Sequence, residues 1–283
     1  MALQVITREG DATTVNTTWA ELTTLGSSGT MPRPQIEKGI RCIKHMLATV
    51  GDGVTVITAC GGPFAIRLRN ATRYSEQVIT VQGWGTLVPA NSGVCRMKEA
   101  FWMPDVNIAV DEGKELIIEG AFSGVDSGTP TFGVTLFCTE EDAGERYYIS
   151  RLGTCTAIDT DTACNGQFGT ATTGNITVPC NGVIERALGV HATSIPLNTA
   201  AGGSTFITLR NEGGFDGPDI VIPCGSQESM LTTTGNTSGV NLPIDVPLKR
   251  VCKQGGVINA RVEMVGVDLG STCSACTVCF RKG

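Results

Sequence analysis

Polar and apolar residues alternate along this chain in short runs, and several of the runs occur twice. Leu116, Ile118 and Phe122 alternate with Ile117, Glu119 and Ser123. Further on, Ile258, Ala260, Val262 and Met264 alternate with Asn259, Arg261 and Glu263. A period of two predicts strands with one face buried and one face wet. Each run is broken by a Gly/Asp element, Gly124-Val125-Asp126-Ser127-Gly128 and Gly266-Val267-Asp268-Leu269-Gly270, and an apolar run follows, ending at Cys138 and Phe280. The two copies lie 142 residues apart. Two more pairs keep the same order. Ala65-Ile66-Arg67-Leu68-Arg69-Asn70 matches Phe206-Ile207-Thr208-Leu209-Arg210-Asn211, and the alignment continues to Tyr74 with Phe215 and Ile79 with Ile220. Met31-Pro32 and Ile36-Glu37-Lys38 match Val178-Pro179 and Ile184-Glu185-Arg186. Collinear matches across half the chain indicate a tandem duplication.

The pattern predicts one long strand over 36–49 around Gly39, a turn at 51–53, and strands over 54–58, 64–69 and 78–82. The connection 83–112 and its counterpart 225–254 diverge most, which marks them as surface projections, with 226–241 the most flexible. Residues 1–30 are polar and Thr-rich and align with nothing in the second half. They are expected to form an N-terminal arm, loosely held or docked on a neighbour, with a helical turn over Thr18-Trp19-Ala20-Glu21-Leu22 begun by a Thr cap. The acidic run from Thr139 to Glu145 ends the first repeat, Tyr147-Tyr148-Ile149 starts the next strand, and 153–176 reads as a long loop. The expected organisation is an arm at 1–30, a first unit at 31–142 and a second at 143–283. Gly and Thr are plentiful and helical heptads absent, so the fold class is all-β.

Composition narrows the function. The 283 residues carry a formal net charge of −6, which argues against coating nucleic acid through bulk positive charge. Arg41, Lys44, Arg67, Arg69 and Arg73 nevertheless make one half locally basic; this is a solvated strand face or a surface meeting phosphates of nucleic acid or lipid. The first eight residues lack the basic start and apolar core of a signal peptide, so cytosolic synthesis is expected. No run of about 18 apolar residues is present, so no membrane-spanning helix is expected. Twelve cysteines include Cys273-x-x-Cys276-x-x-Cys279. On a strand Cys276 points away from the other two, so one ion is not wrapped by all three. These thiols read as small buried hydrophobes, or as disulfides to partners such as Cys252.

Enzyme signatures are missing. There are two histidines, His45 and His191, at roughly equivalent repeat positions, too few for a duplicated metal site. Neither a Gly-x-Ser-x-Gly elbow nor a phosphate-binding Gly-rich Lys loop occurs. Asp126 and Asp268 recur beside glycines, as turn formers do. The sequons at Asn16, Asn70, Asn175 and Asn236 are expected to arise by chance in so Thr-rich a chain. No catalytic residue, cofactor, metal or small-molecule substrate is expected.

Two eight-stranded Greek-key units in one chain make a tandem double jelly roll. Met31-Pro32, Ile36-Glu37-Lys38-Gly39-Ile40-Arg41, Ile66-Arg67-Leu68-Arg69-Asn70 and Val78 to Gly83 recur at Val178-Pro179, Ile184 to Leu188, Ile207 to Asn211 and Ile220 to Ile222. This pattern resembles the major capsid proteins of tailless icosahedral viruses of the double jelly-roll lineage. The resemblance implies a structural virion protein made in a host cytoplasm. Its homotrimers would form pseudo-hexagons that tile an icosahedral shell, meeting lattice neighbours and other capsid proteins such as a penton protein, with the inner face toward a membrane or genome. The alternatives are a non-viral β-sandwich that binds carbohydrate or another surface, and a double jelly-roll enzyme, which the scarcity of histidine disfavours.

Overall fold

Alternation of side chains is what builds the molecule: every sheet has one row turned into a core and one row turned out. The structure is a computed structural model that describes residues 3–11, 18–26, 29–52, 60–70, 76–86, 100–123, 130–142, 144–155, 157–194, 202–228, 238–267 and 271–283. Among them are strands and no α-helix. The first half contributes β1 (Gln4–Asp11), β2 (Ala20–Glu21), β3 (Cys42–Asp52), β4 (Cys60–Asn70), β5 (Gln77–Thr86), β6 (Phe101–Met103), β7 (Ile108–Ala109), β8 (Leu116–Phe122) and β9 (Pro130–Thr139). The second contributes β10 (Arg146–Cys155), β11 (Thr162–Ala163), β12 (Gly166–Gln167), β13 (Thr170–Thr173), β14 (Ile176–Thr177), β15 (Gly182–Ser194), β16 (Gly202–Glu212), β17 (Ile220–Glu228), β18 (Ser238–Asn241), β19 (Ile244–Cys252), β20 (Val257–Val267) and β21 (Ser271–Lys282).

These strands form four antiparallel sheets. The first runs β1-β9-β3-β6, with β7 also on β3, and the second runs β18-β5-β4-β8-β2. The third runs β13-β12-β10-β21-β15-β19, and the fourth β11-β20-β16-β17, with β14 also on β20. The order repeats. β1-β9-β3-β6 matches β10-β21-β15-β19, and β2-β8-β4-β5 matches β11-β20-β16-β17. Even the irregularities recur, with bulges between Ile43 and His45 and between Ile184 and Arg186.

The first core lies between the first two sheets. Ile6, Met46, Phe132 and Leu136 meet Phe64, Ile66, Ile118 and Phe122. Gly120 makes room for the Phe132 ring, since a Cβ there would sit 2.8 Å from it. The second core lies between the third and fourth sheets, where Ile184, Val278 and Phe280 meet Ile207, Leu209, Ile222 and Val262. A third, smaller cluster of Ala65, Ala121, Leu152, Val190 and Ala275 joins the second sheet to the third. The layers therefore stack in the order first, second, third, fourth.

Several expectations are corrected. Residues 4–11 are no arm: β1 pairs along its whole length with β9. The segment over 18–22 is not helical, because Ala20 and Glu21 pair with β8. The strand expected over 36–49 begins only at Cys42; Gly39 has φ +89° and turns the chain before it. Residues 153–176 hold β11, β12 and β13 in place of one long loop. The third repeat match is out of register. Ile184 pairs with Phe280 as Ile43 pairs with Cys138, so Ile184 corresponds to Ile43 and not to Ile36. In the same way Ile79 corresponds to Ile222, the partner of Ile207, and not to Ile220. The 54–58 strand, Arg73, Tyr74, Asp126, Asp268, Asn16 and Asn236 lie outside the described residues.

Candidate functional site: the seam between the halves and the two outer faces

The charged groups are mostly occupied with one another. Glu119 on β8 receives Arg67 at 2.7 Å and Arg69 at 2.9 Å, and Arg67 also reaches Glu76 at 2.9 Å. Burial alone would raise the Glu119 carboxyl, but the hydrogen bonds from both arginines outweigh it and hold the group below its usual range. Lys44 bonds Glu141 at 2.9 Å and lies 3.4 Å from Asp105. Three of the five cations that make this half locally basic, Lys44, Arg67 and Arg69, are thus matched by carboxylates; Arg41 is exposed.

Arg67 also lies 4.5 Å from the centre of the Trp19 ring. Both line a cleft of about 430 Å³ at the rim between the halves, with Glu76, Arg151, Phe168 and Thr170. Trp19 is not open for stacking a ligand: Arg67 covers it, and Gly169 sits so close that a Cβ there would clash with the ring.

Arg151 and Arg8 form a pair that the alternation did not announce. Arg8 donates to the carbonyls of Thr7 and Pro32. Arg151 donates to those of Ser150, Gly174 and Asn175. Arg8 pairs across from Val134 and Arg151 from Cys276, so they occupy one position in the two halves. Burial lowers both guanidinium groups from their ordinary value. Each pins a loop beneath its sheet. The signal in the sequence is Ile6-Thr7-Arg8-Glu9-Gly10 against Ile149-Ser150-Arg151-Leu152-Gly153, which becomes visible once the strand pairing fixes the register.

The two histidines are not equivalent: by pairing, His45 stands where Arg186 does. His45 stacks on exposed Trp102. His191 is buried, its Nδ1 is 3.0 Å from the Cys224 carbonyl, and burial lowers its imidazole below the ordinary value. Ten of the twelve cysteines, all but Cys60 and Cys95, are buried free thiols. Cys276 turns into the second core while Cys279 turns to the first and Cys273 toward Ser123, the alternation expected of a strand. Cys252 lies beside Cys180, its Sγ 3.7 Å from that carbonyl. Burial pushes Cys42 and Cys276 up to about 11 and Cys138 and Cys279 to about 12, which keeps these thiols protonated and unreactive at neutral pH. Among the described residues no three His, Cys, Asp or Glu side chains converge as a metal needs. The sequon residue Asn70 is buried, and its side chain bonds Glu115 and Asp111.

The most elaborate contact is the seam itself. The Ser150 and Thr277 hydroxyls lie 2.7 Å apart. Ser150 donates to the Val78 carbonyl at 2.8 Å, and Thr277 bonds the Thr80 hydroxyl at 3.0 Å and accepts its amide at 2.9 Å. Tyr148 donates to the Val106 carbonyl, and Gln77 accepts the Tyr148 amide. Gly83 lets the sheets touch, since a Cβ there would run into the His191 carbonyl oxygen. Finally β18, a strand of the second half, completes the edge of β5 in the first.

No protein-family model matches the chain, and no curated protein matches it in sequence. Among solved structures, PNGF-II is similar over 98% of this chain and 66% of its own, at 9% identity and a TM-score of 0.38; the chain thus spans just under two thirds of that protein. PNGase F, a glycosylasparaginase from Flavobacterium meningosepticum, is similar over 97% of this chain and 96% of its own, at 8% identity and 0.36. The CBM22 tandem of Paenibacillus barcinonensis Xyn10C is similar over 99% and 93%, at 7% and 0.24. The chain itself is all-β, built of antiparallel sheets.

Proposed function

We propose that the chain is a tandem double jelly roll that serves as a shell-forming structural protein, a major capsid protein whose homotrimers present six similar units. One observation carries the reading: the two halves repeat one strand order and meet through unlike faces. Counted in chain order within each half, with β6 and β7 sharing a place, β11 and β14 sharing another, and β12, β13 and β18 set outside the count, the eight places run 1-8-3-6 in one sheet and 2-7-4-5 in the other. This order supports the double Greek-key winding of a jelly roll. A contact between unlike faces is heterologous, and heterologous contacts make rings or open filaments. Three chains of two units each give a near-sixfold ring from threefold symmetry. Nothing in this scheme asks for catalysis, and the charged groups of the seam are satisfied internally.

The test is mass in solution by light scattering, with the same sample imaged on a microscope grid. The expected result is a species near three times 29.6 kDa with hexagonal outlines or lattice patches. A monomer at every salt and at concentrations up to about 100 μM, with no lattice, overturns the reading.

A further inference from the structure

The seam holds the outer row of the second sheet against the outer row of the third. Strand pairing gives each seam residue a counterpart on a face that is left open. Tyr148, Ser150, Leu188, Thr277 and Cys279 correspond to Val5, Thr7, Leu47, Thr135 and Phe137 on the first sheet. Ala65, Val78 and Ser123 correspond to Phe206, Val221 and Val265 on the fourth. Four of the six large apolar side chains exposed among the described residues lie on these faces: Val5 is 52% exposed and Trp102 47% on the first sheet, Val221 57% and Val265 44% on the fourth; of the other two, Leu3 precedes β1 and Val251 stands on β19 of the third sheet. The hydroxyl pair that closes the seam is present again on the open side, where Thr7 and Thr135 lie 3.1 Å apart.

We infer that a second copy of this chain docks the outer face of its fourth sheet on the outer face of the first sheet, repeating between chains the seam each chain holds within itself. This names the partner faces for the assembly reading above, but it stands on the internal seam. Val221 takes the place of Val78, so its carbonyl meets the Thr7 hydroxyl. Pro223 takes the place of Thr80 and has no amide to give, which removes one seam hydrogen bond. Glu9 and Glu263 replace Leu152 and Ala121, two members of the seam's apolar cluster. The contact between chains is therefore weaker than the contact within one, and it is reversible. Because its two faces differ, it propagates head to tail.

The experiment uses the full chain carrying Thr7→Cys or Val221→Cys, a short bis-maleimide cross-linker, and the unaltered chain as background. The mixture of the two variants is expected to give a covalent dimer that neither variant gives alone. Unfolding midpoints of both variants confirm that they fold. Self-linking of either variant at the rate of the mixture would mean a contact between like faces and overturns the inference. Oligomers in light scattering without the mixed cross-link overturn these faces while leaving assembly standing; a monomer throughout overturns both. A Val221→Arg chain, expected to fold as the parent does, should associate at least tenfold more weakly, and unchanged association counts against the inference.

Discussion

At the scale of single residues, the groups that distinguish this chain are buried charges with defined partners. Glu119 is the junction of two arginines on the rim of the seam, and its carboxyl is held below the ordinary range. A depressed carboxyl adds stability above its unfolded value, about 4.3, and loses it as pH falls through the folded one. Glu119→Gln is therefore expected to cost about 2–3 kcal/mol at pH 7. In urea titrations the gap to the parent should shrink toward pH 3; an equal gap at both pH values would show that the ion pairs are not its source. Arg151 works differently, by tying three carbonyls. Arg151→Met leaves them unpaired and should lower stability by about 2–4 kcal/mol, and Arg151→Lys should restore little, because an ammonium lacks the planar fork that spans them. Full rescue by Lys would argue for charge alone.

At the scale of elements, the strands that show in the sequence are those whose inward row is wholly apolar. Over β8, Leu116, Ile118 and Phe122 announce both the strand and its inward face, and β4, β5 and β9 read equally well. β1 does not, because Arg8 stands in the inward row beside Ile6, and a cation there reads as surface. The 36–41 stretch misleads in the opposite way: Ile36 and Ile40 are buried, but they anchor a turn. The register of the repeats was legible only where both copies keep bulky residues. A lysine at the bulge of β3 and a glutamate at that of β15 share no chemistry, and the correspondence of Ile43 with Ile184 rests on pairing. The seam had no signature at all, since Ala, Ser and Thr in a strand mark a close approach only when the facing sheet is known. If β1 is integral, removing residues 1–11 should not yield a trimmed and equally stable protein. It uncovers the β9 edge and part of the first core, and the thermal midpoint should fall by more than about 5 °C. An unchanged midpoint would restore the arm.

At the scale of the whole molecule, the halves share material. Tyr148, Leu188 and Cys279 of the third sheet belong to the first core cluster, and Leu242, just past β18, packs against it as well. Two units that complete each other in this way should melt together. Calorimetry is expected to show one transition whose calorimetric and van't Hoff enthalpies agree; two resolved transitions would mean that the seam contributes little.

β18 gives the chain a mechanical asymmetry. It lies against β5 through four residue pairs, Ser238 with Thr86 to Asn241 with Gly83. Sliding one half past the other along that strand loads those backbone bonds together, whereas peeling loads them one at a time. The joint inside each chain thus resists shear as a unit, while the contact proposed between copies has no described strand laid across it. A closed ring of such chains, when strained, should give way between copies and leave each double unit whole, so that the piece released is the piece that can assemble again.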